Sequence, residues 1–329
     1  MTRPRYSFVV PVYNEQETLP ELASRLGAVL DGLDGPAEVI VVDDASSDDT
    51  FRQLLELHQR DERFKPVRLA RNFGHQLAIS AGIDFALGDA VVIMDGDLQD
   101  PPEVVPELIA RWREGYDVVY GLRTKREGDP WHKRFLAAGF YRVLRRLTQT
   151  EIPADAGDFR LVDRRTVDAF KLLRERSRYV RGMFAWVGFN QIGVAYERDA
   201  RYGGERKYTF RKSLKLAVDG IVSFSTVPLR AVLGIGFVIA ALSFLLALFA
   251  VAARLAGWYR TPGWASILLA VSLLGGVQLT LIGVVGLYVG RIAEEVKARP
   301  LYVVREAYGL SAIEHDERVR DPVRPGHEA

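Results

Sequence analysis

The chain has 329 residues, 44 Lys and Arg against 42 Asp and Glu, and no cysteine. At about 100–200 residues per domain the length suggests two structural units, and a net charge of +2 gives no basis for a nucleic-acid partner. The missing cysteines exclude disulfides, thiolate metal sites and thiol nucleophiles.

The opening residues, MTRPRYSFVV, run at once into a strand pattern with no long apolar leader, so no signal peptide is expected. Tyr6 to Val12 reads as a strand that breaks at Pro11 and ends at Tyr13-Asn14-Glu15. Leu19, Leu22, Leu26 and Leu30 follow at helical spacing. Glu38 to Val42 is a second strand, ending at Asp43 and Asp44, and Phe51, Leu54 and Leu55 mark the next helix. Val67 to Ala70, then RNFG, then a helix through Ile79 and Ile83 lead to the apolar run Val91 to Met94. That run ends at Asp95-Gly96-Asp97, with Pro101-Pro102 opening another helix before a strand over 117–122. Five strands alternating with four helices predict a doubly wound, mainly parallel α/β sheet.

Right-handed crossovers would gather Tyr13-Asn14-Glu15, Asp43-Asp44 and Asp95-Gly96-Asp97 on one rim of that sheet, where ligands bind in open α/β folds. Asp95, Asp97 and the amide oxygen of Gln99 are the hard donors that Mg²⁺ or Mn²⁺ prefers. A lone Asp-x-Asp is more often only a turn; three acidic strand ends on one rim suggest a site. No GxGxxG follows the first strand and no GxxxxGK[ST] occurs, which leaves dinucleotide-binding and P-loop readings little support.

From Arg123 to Arg146 basic residues become dense around a predicted helix that includes Phe135, Leu136 and Phe140. DAGDFRLV, 155–162, is expected in a loop, where Asp158 and Arg160 would form an acid–base pair. A strand over 190–199 precedes the basic, Gly-containing segment ERDARYGGERKYTFRKS, and Phe210, Leu214, Ala217, Ile221 and Phe224 then recur as the apolar stripe of an interfacial helix. Ala231 to Ala253 and Ala265 to Gly290 are uncharged and each long enough to cross a hydrocarbon core of about 30 Å. Cations are denser outside this hairpin than in its connecting loop, which places the first 200 residues and the tail in the cytoplasm. The expected organisation is a catalytic domain over 1–200, a basic loop and juxtamembrane helix over 201–229, a two-helix hairpin over 230–291, and a partly disordered tail over 292–329.

VPVYNE at 10–15, VVDDASSDDT at 41–50, RNFGHQ at 71–76, DGDLQDPPE at 95–103, GDFRL at 157–161 and the run from Arg201 to Arg230 occur in an order that resembles the membrane-anchored family 2 glycosyltransferases that load polyprenyl phosphates. That group contains dolichyl-phosphate mannose synthases and bacterial bactoprenol glucosyltransferases. The resemblance implies a GT-A fold in which Pro11, Tyr13, Glu15, Asp43 and Asp44 line the nucleotide-sugar pocket and Asp95, Asp97 and Gln99 hold the metal on the diphosphate. It also implies that Asp158 and Arg160 shape the acceptor side, while Arg123, Arg134, Arg201 and Lys207 meet phosphates. The chain departs from the group at Arg206, where members commonly carry Ser before the Lys-Tyr pair.

Such chemistry needs a neutralised leaving diphosphate, whereas a lipid phosphate is already anionic and can attack without a strong base. Asp158 is accordingly read as a positioning residue. The expected reaction is transfer of a hexose with inversion to undecaprenyl or dolichyl phosphate at the inner face of a bilayer. UDP-glucose is the favoured donor, but no residue rules out GDP-mannose or an amino-sugar nucleotide. A hydroxyl acceptor and a non-catalytic scaffold are the alternatives. The glycine-rich second span, with Gly275, Gly276, Gly283, Gly286 and Gly290, suits helix contacts within one hairpin or between copies in a homo-oligomer.

Overall fold

The computed structural model describes residues 3–123, 156–176, 178–197, 227–256 and 263–310. They divide between two compact units: one runs from the N-terminus through the strand that ends at Tyr196 and takes in residues from Arg299 onward, and the other carries two long helices up to Ala298.

The first unit is an eight-stranded sheet. Its strands are β1 (Tyr6–Val12), β2 (Ala37–Asp43), β3 (Phe64–Leu69), β4 (Ala90–Ile93), β5 (Val118–Arg123), β6 (Ala156–Asp163), β7 (Gln191–Tyr196) and β8 (Val304–Ala307), in the order β7-β5-β6-β4-β1-β2-β3-β8. β1, β2, β3 and β4 pair in parallel, as do β5 and β7, whereas β6 and β8 run against their neighbours. The helices are α1 (Leu19–Asp31), α2 (Thr50–Arg60), α3 (His75–Phe85), α4 (Val105–Arg113), α5 (Arg164–Leu172) and α6 (Val180–Val187).

Strand side chains alternate between faces, and both faces here are apolar. Phe8, Val10, Val39, Val41 and Val92 meet Leu22 and Leu26 of α1, Leu54 of α2 and Leu108 of α4. Val9, Ile40, Val42, Val91 and Ile93 meet Ile79 and Ile83 of α3, Phe170 of α5 and Phe184 of α6. Two covered faces explain why these strands read as continuous apolar runs.

Two sequence expectations are corrected. β1 does not break at Pro11, which stays in register with Val42. The backbone of Val9 bonds toward β4, accepting from Met94 N–H at 3.1 Å, but β4 has ended before Pro11 needs a donor on that side. DAGDFRLV is not a loop: from Ala156 it forms β6, inserted between β4 and β5, so those two strands are not neighbours. Its polar residues hid a strand whose Phe159 and Leu161 are fully buried. Residues 299–310 are structured, which a partly disordered tail allows: β8 covers the free edge of β3, Tyr302 donates to Asp84 at 2.8 Å, and Ala70 N–H donates to Val303 at 2.8 Å.

In the second unit, α7 (Val227–Leu255) and α8 (Trp264–Val296) contain the two uncharged stretches, each within one helix. Among the described residues Leu273–Val296 is long and apolar enough to cross a membrane and is unburied, while in α7 the described apolar run is the shorter Gly234–Leu246. The predicted helix around Phe140 and the amphipathic stripe from Phe210 to Phe224 lie outside the described residues.

At the end of the sheet opposite the acidic rim, buried Glu38 accepts from Ser7 Oγ at 2.6 Å, Leu87 N–H at 3.0 Å and Lys65 Nζ at 2.7 Å. Glu38→Ala strips a mostly buried ammonium and two neutral donors of their acceptor. It is expected to cost about 3–5 kcal/mol of stability, read by chemical denaturation of the purified protein.

Candidate active site

The C-terminal ends of β1, β2 and β4 form one rim, as the sequence predicts. Its first part is a stitched pair of loops. Asn14, at φ 54°, accepts from Ser47 N–H at 2.8 Å, and its own N–H donates to Ser46 Oγ at 2.9 Å. Glu15 N–H donates to Thr50 Oγ1 at 2.9 Å, and the Glu15 carboxylate accepts from Thr18 Oγ1 at 2.8 Å. Pro11 is buried beneath these loops, and the Tyr13 side chain is exposed at the mouth.

Asp43 and Asp44 are adjacent and buried but do different things. Asp43 Oδ1 accepts from Ser46 N–H at 3.0 Å; its Oδ2 lies 3.4 Å from Arg68 Nε without a hydrogen bond and has no other partner among the described residues. Asp44 spends both oxygens on the loop before α3, accepting from Phe73 N–H at 2.7 Å and Gly74 N–H at 2.8 Å. Gly74 takes φ 99°, which favours glycine, and the turn delivers His75 to the rim as the first residue of α3. Burial pushes both carboxyls above the usual value.

β6 arrives at this rim from the opposite direction. Ile93 pairs with Arg160, and two further residues of that antiparallel register bring Asp158 opposite Asp95. His75 lies at the junction, its Nε2 3.3 Å from Asp95 Oδ1 and 3.4 Å from Asp158 Oδ2. One ligand atom from each of these three residues falls within 4.8 Å of the others, close enough to share a metal ion. Asp97 stands one turn on, its Oδ1 accepting from Gln99 N–H at 3.2 Å, and Leu98 between them takes φ 59°.

The two facing acids have opposite electrostatics. Burial, against the opposing charge of His75 and with Asp100, Asp158 and Asp97 nearby, pushes Asp95 up to about 6. Burial also works against ionised Asp158, but hydrogen bonds from His75 and Arg181 and the charges of Arg181 and Arg160 hold it well below the usual carboxylate range. Burial disfavours charge on His75 as well; Asp158 and Asp95 outweigh it, and the imidazole is held above its usual value.

Asp158 does not pair with Arg160 in the way the sequence suggests. Its Oδ1 and Oδ2 accept from Arg181 Nε at 2.8 Å and Nη2 at 3.0 Å, a two-point grip, and Gln76 Nε2 reaches Oδ2 at 3.4 Å. Arg160 turns under the strand, donating to the carbonyls of Gly157 at 2.8 Å and Asp158 at 3.3 Å, with its guanidinium over Phe184. Burial lowers Arg160 to about 10. Arg123 ends β5 on the far side of β6, while Arg134, Arg201, Arg206 and Lys207 lie outside the described residues.

His75, Gln76 and Arg181 were not assigned roles from the sequence. His75 and Gln76 close the RNFGHQ segment, so a signal was present; Arg181, on a helix 23 positions from Asp158, had none.

The sequence profile of Glycosyl transferase family 2 matches residues 7–170, a span holding Asp43, Asp95 and Asp158. An uncharacterized glycosyltransferase of Synechocystis is 47% identical over 307 residues, covering 93% of this chain and 96% of the relative. The chain belongs to glycosyl transferase family 2. As a family member it is a transferase. The SfII prophage-derived bactoprenol glucosyl transferase of Shigella flexneri is 39% identical over 304 residues, covering 92% of this chain and 98% of that relative. Among solved structures, the mannosyltransferase PcManGT from Pyrobaculum calidifontis, in complex with GDP-Man and Mn2+, is 18% identical at a TM-score of 0.47, with 90% of this chain and 87% of that one covered.

Because folded Asp95 holds its proton up to about pH 6 and the unfolded residue only to about pH 3.9, folding is opposed once the group ionises. Metal-free protein is therefore expected to lose stability as pH rises from about 4 to 6. Asp95→Asn should remove that loss and be more stable than wild type at pH 7 by on the order of 1–3 kcal/mol, the two converging near pH 4 in melts with EDTA.

Proposed function

We propose that this chain is an inverting, metal-dependent glycosyltransferase with a GT-A-type catalytic unit, moving a hexose from a nucleotide diphosphosugar to a polyprenyl phosphate at the cytoplasmic face of a membrane. The observation that carries the reading is the state of Asp158: an ionised carboxylate in a two-point guanidinium grip is a poor proton acceptor. A hydroxyl acceptor needs a base near the attacking oxygen. A phosphate monoester is already anionic and needs none.

Along the rim the parts fall in sequence. Asp43, with a buried oxygen short of a hydrogen bond, suits the N–H of a nucleobase at β2, beside Pro11, Tyr13 and Glu15. Asp44 acts one step back, fixing the turn that carries His75. Asp95 Oδ1 is buried without a hydrogen-bond partner among the described residues, an oxygen suited to Mg²⁺ or Mn²⁺, with Asp97, Gln99 and His75 at hand. Asp158 is the least suited of the three grouped side chains, His75, Asp95 and Asp158, because Arg181 already occupies both its oxygens. A divalent ion there would supply Lewis-acid neutralisation of the leaving diphosphate. Asp158 instead orients Arg181, and these with Arg160 and Arg123 shape a cationic end for the acceptor phosphate; Arg134, Arg201 and Lys207 are proposed to add to it.

UDP-glucose is the preferred donor, in keeping with relatives named bactoprenol glucosyl transferase. The second unit is proposed to cross the membrane twice, through α7 and α8, which would keep the prenyl tail in lipid while its phosphate reaches the rim.

Purified protein in detergent, given radiolabelled UDP- and GDP-sugars, is expected to label undecaprenyl or dolichyl phosphate from UDP-glucose, only with Mn²⁺ or Mg²⁺ and with a β linkage. An α-linked product would overturn single displacement. No labelling from any donor by folded protein would overturn the acceptor. Asp158→Asn, which weakens the hold on Arg181, should lower kcat/KM by about 10²-fold or more, with the loss constant from pH 6 to 9; a loss confined to one limb of the pH profile would mark Asp158 as a base.

A further inference from the structure

Beyond the gripped acid, the rim holds a second buried polar group, set where β5 and β7 end. Asp100, directly after Gln99, is 0% exposed, and Tyr196, the last residue of β7, is 4% exposed. Arg123 is the last residue of β5. Arg123 Nε donates to the Tyr196 hydroxyl oxygen at 3.3 Å, and the Tyr196 hydroxyl donates to Asp100 Oδ1. Guanidinium has donors only, so of these two partners it is Asp100 that takes the hydroxyl proton, and the relay has one polarity. Burial, then the charge and hydrogen bond of Asp100, push the hydroxyl well above the usual tyrosine value, which keeps it a donor.

The surroundings are shaped for this relay. A Cβ on Gly121 would sit 2.6 Å from Tyr196 Cε1, and one on Gly157 would sit 2.7 Å from Arg123 Nη2. The Tyr196 ring meets Phe159 edge-on, centroids 5.5 Å apart. Arg123 Nη2 stays 3.7 Å from Asp100 Oδ1, an ion-pair separation too long for a hydrogen bond. Left to themselves a guanidinium and a buried carboxylate close to a shorter, two-point pair. The interposed hydroxyl prevents that closure.

We propose that Tyr196 is a positioning residue, a spacer that holds Arg123 off Asp100 and so keeps its guanidinium aimed at the acceptor phosphate. The assignment to the acceptor follows from strand order, β7-β5-β6-β4-β1-β2: the nucleoside acids stand at β2, Asp95 follows β4, and Arg123 lies beyond β6. It rests on the polyprenyl-phosphate reading for the identity of that phosphate.

Tyr196→Phe keeps the ring and its packing and removes the spacer. The expected result is a rise of about five- to tenfold in KM for polyprenyl phosphate, with donor KM, kcat and melting temperature close to wild type, because Arg123 collapses onto Asp100 and leaves no unpaired charge. Arg123→Lys, which keeps the charge but has no Nε–H to pin, should raise acceptor KM similarly, and adding Tyr196→Phe to it should change nothing further. Unchanged acceptor KM in Tyr196→Phe, additive losses in the double variant, or a matching rise in donor KM would overturn the spacer role. Absence of transfer by the wild type would instead overturn the acceptor reading, and with it the assignment of the phosphate.

Discussion

Because β6 runs antiparallel between β4 and β5, its first residues reach the rim where the parallel strands finish. The pairing of Ile93 with Arg160 then sets Asp158 against Asp95. A slip of one residue would turn Asp158 to the other face of the sheet. The register is held from both faces, Phe159 and Leu161 packing on one and Val162 on the other. Hydrophobic burial, which is non-directional, thus fixes a polar geometry that it does not itself contain.

Two carboxylates placed face to face in a partly dry site cannot share one environment and both stay charged at no cost. The structure resolves this asymmetrically. Arg181, His75 and Gln76 converge on Asp158, while Asp95 keeps a buried oxygen without a hydrogen bond. One acid is satisfied within the protein, and the other is not. A buried ion pair is weak evidence for stability, and the position of this one, at a strand end opening onto the rim, ties it to the site rather than to the fold. The same division recurs at Asp43 and Asp44, where one carboxylate holds a loop and its neighbour keeps an oxygen without a hydrogen bond.

The far edge of the sheet shows how the first unit takes in the chain beyond α8. Residues from Arg299 return to it, Arg176 donating to the Arg299 carbonyl, and β8 closes the edge of β3. Pro66 interrupts the donors of β3 there, and its carbonyl takes Tyr308 N–H at 3.0 Å. An edge strand that would otherwise expose unpaired backbone is covered by a segment that follows the long apolar helix.

Local pattern determined much of this protein. Apolar runs ending in acids fixed β1, β2 and β4, the alternation of strand and helix fixed the parallel core, and uncharged stretches marked α7 and α8, because each signal is carried by neighbouring residues whose spacing reports burial. Tertiary structure alone decided the rest. The insertion of β6 could not be read, since Gly157, Asp158 and Arg160 break the apolar pattern and the strand is defined by partners more than 30 residues away. Nor could the partner of Asp158: sequence adjacency favoured Arg160, whereas helix α6 presents Arg181, and the turn held by Asp44 presents His75. Ion pairing depends on distance in space, and that distance is set only when β6, α3 and α6 pack on the sheet together.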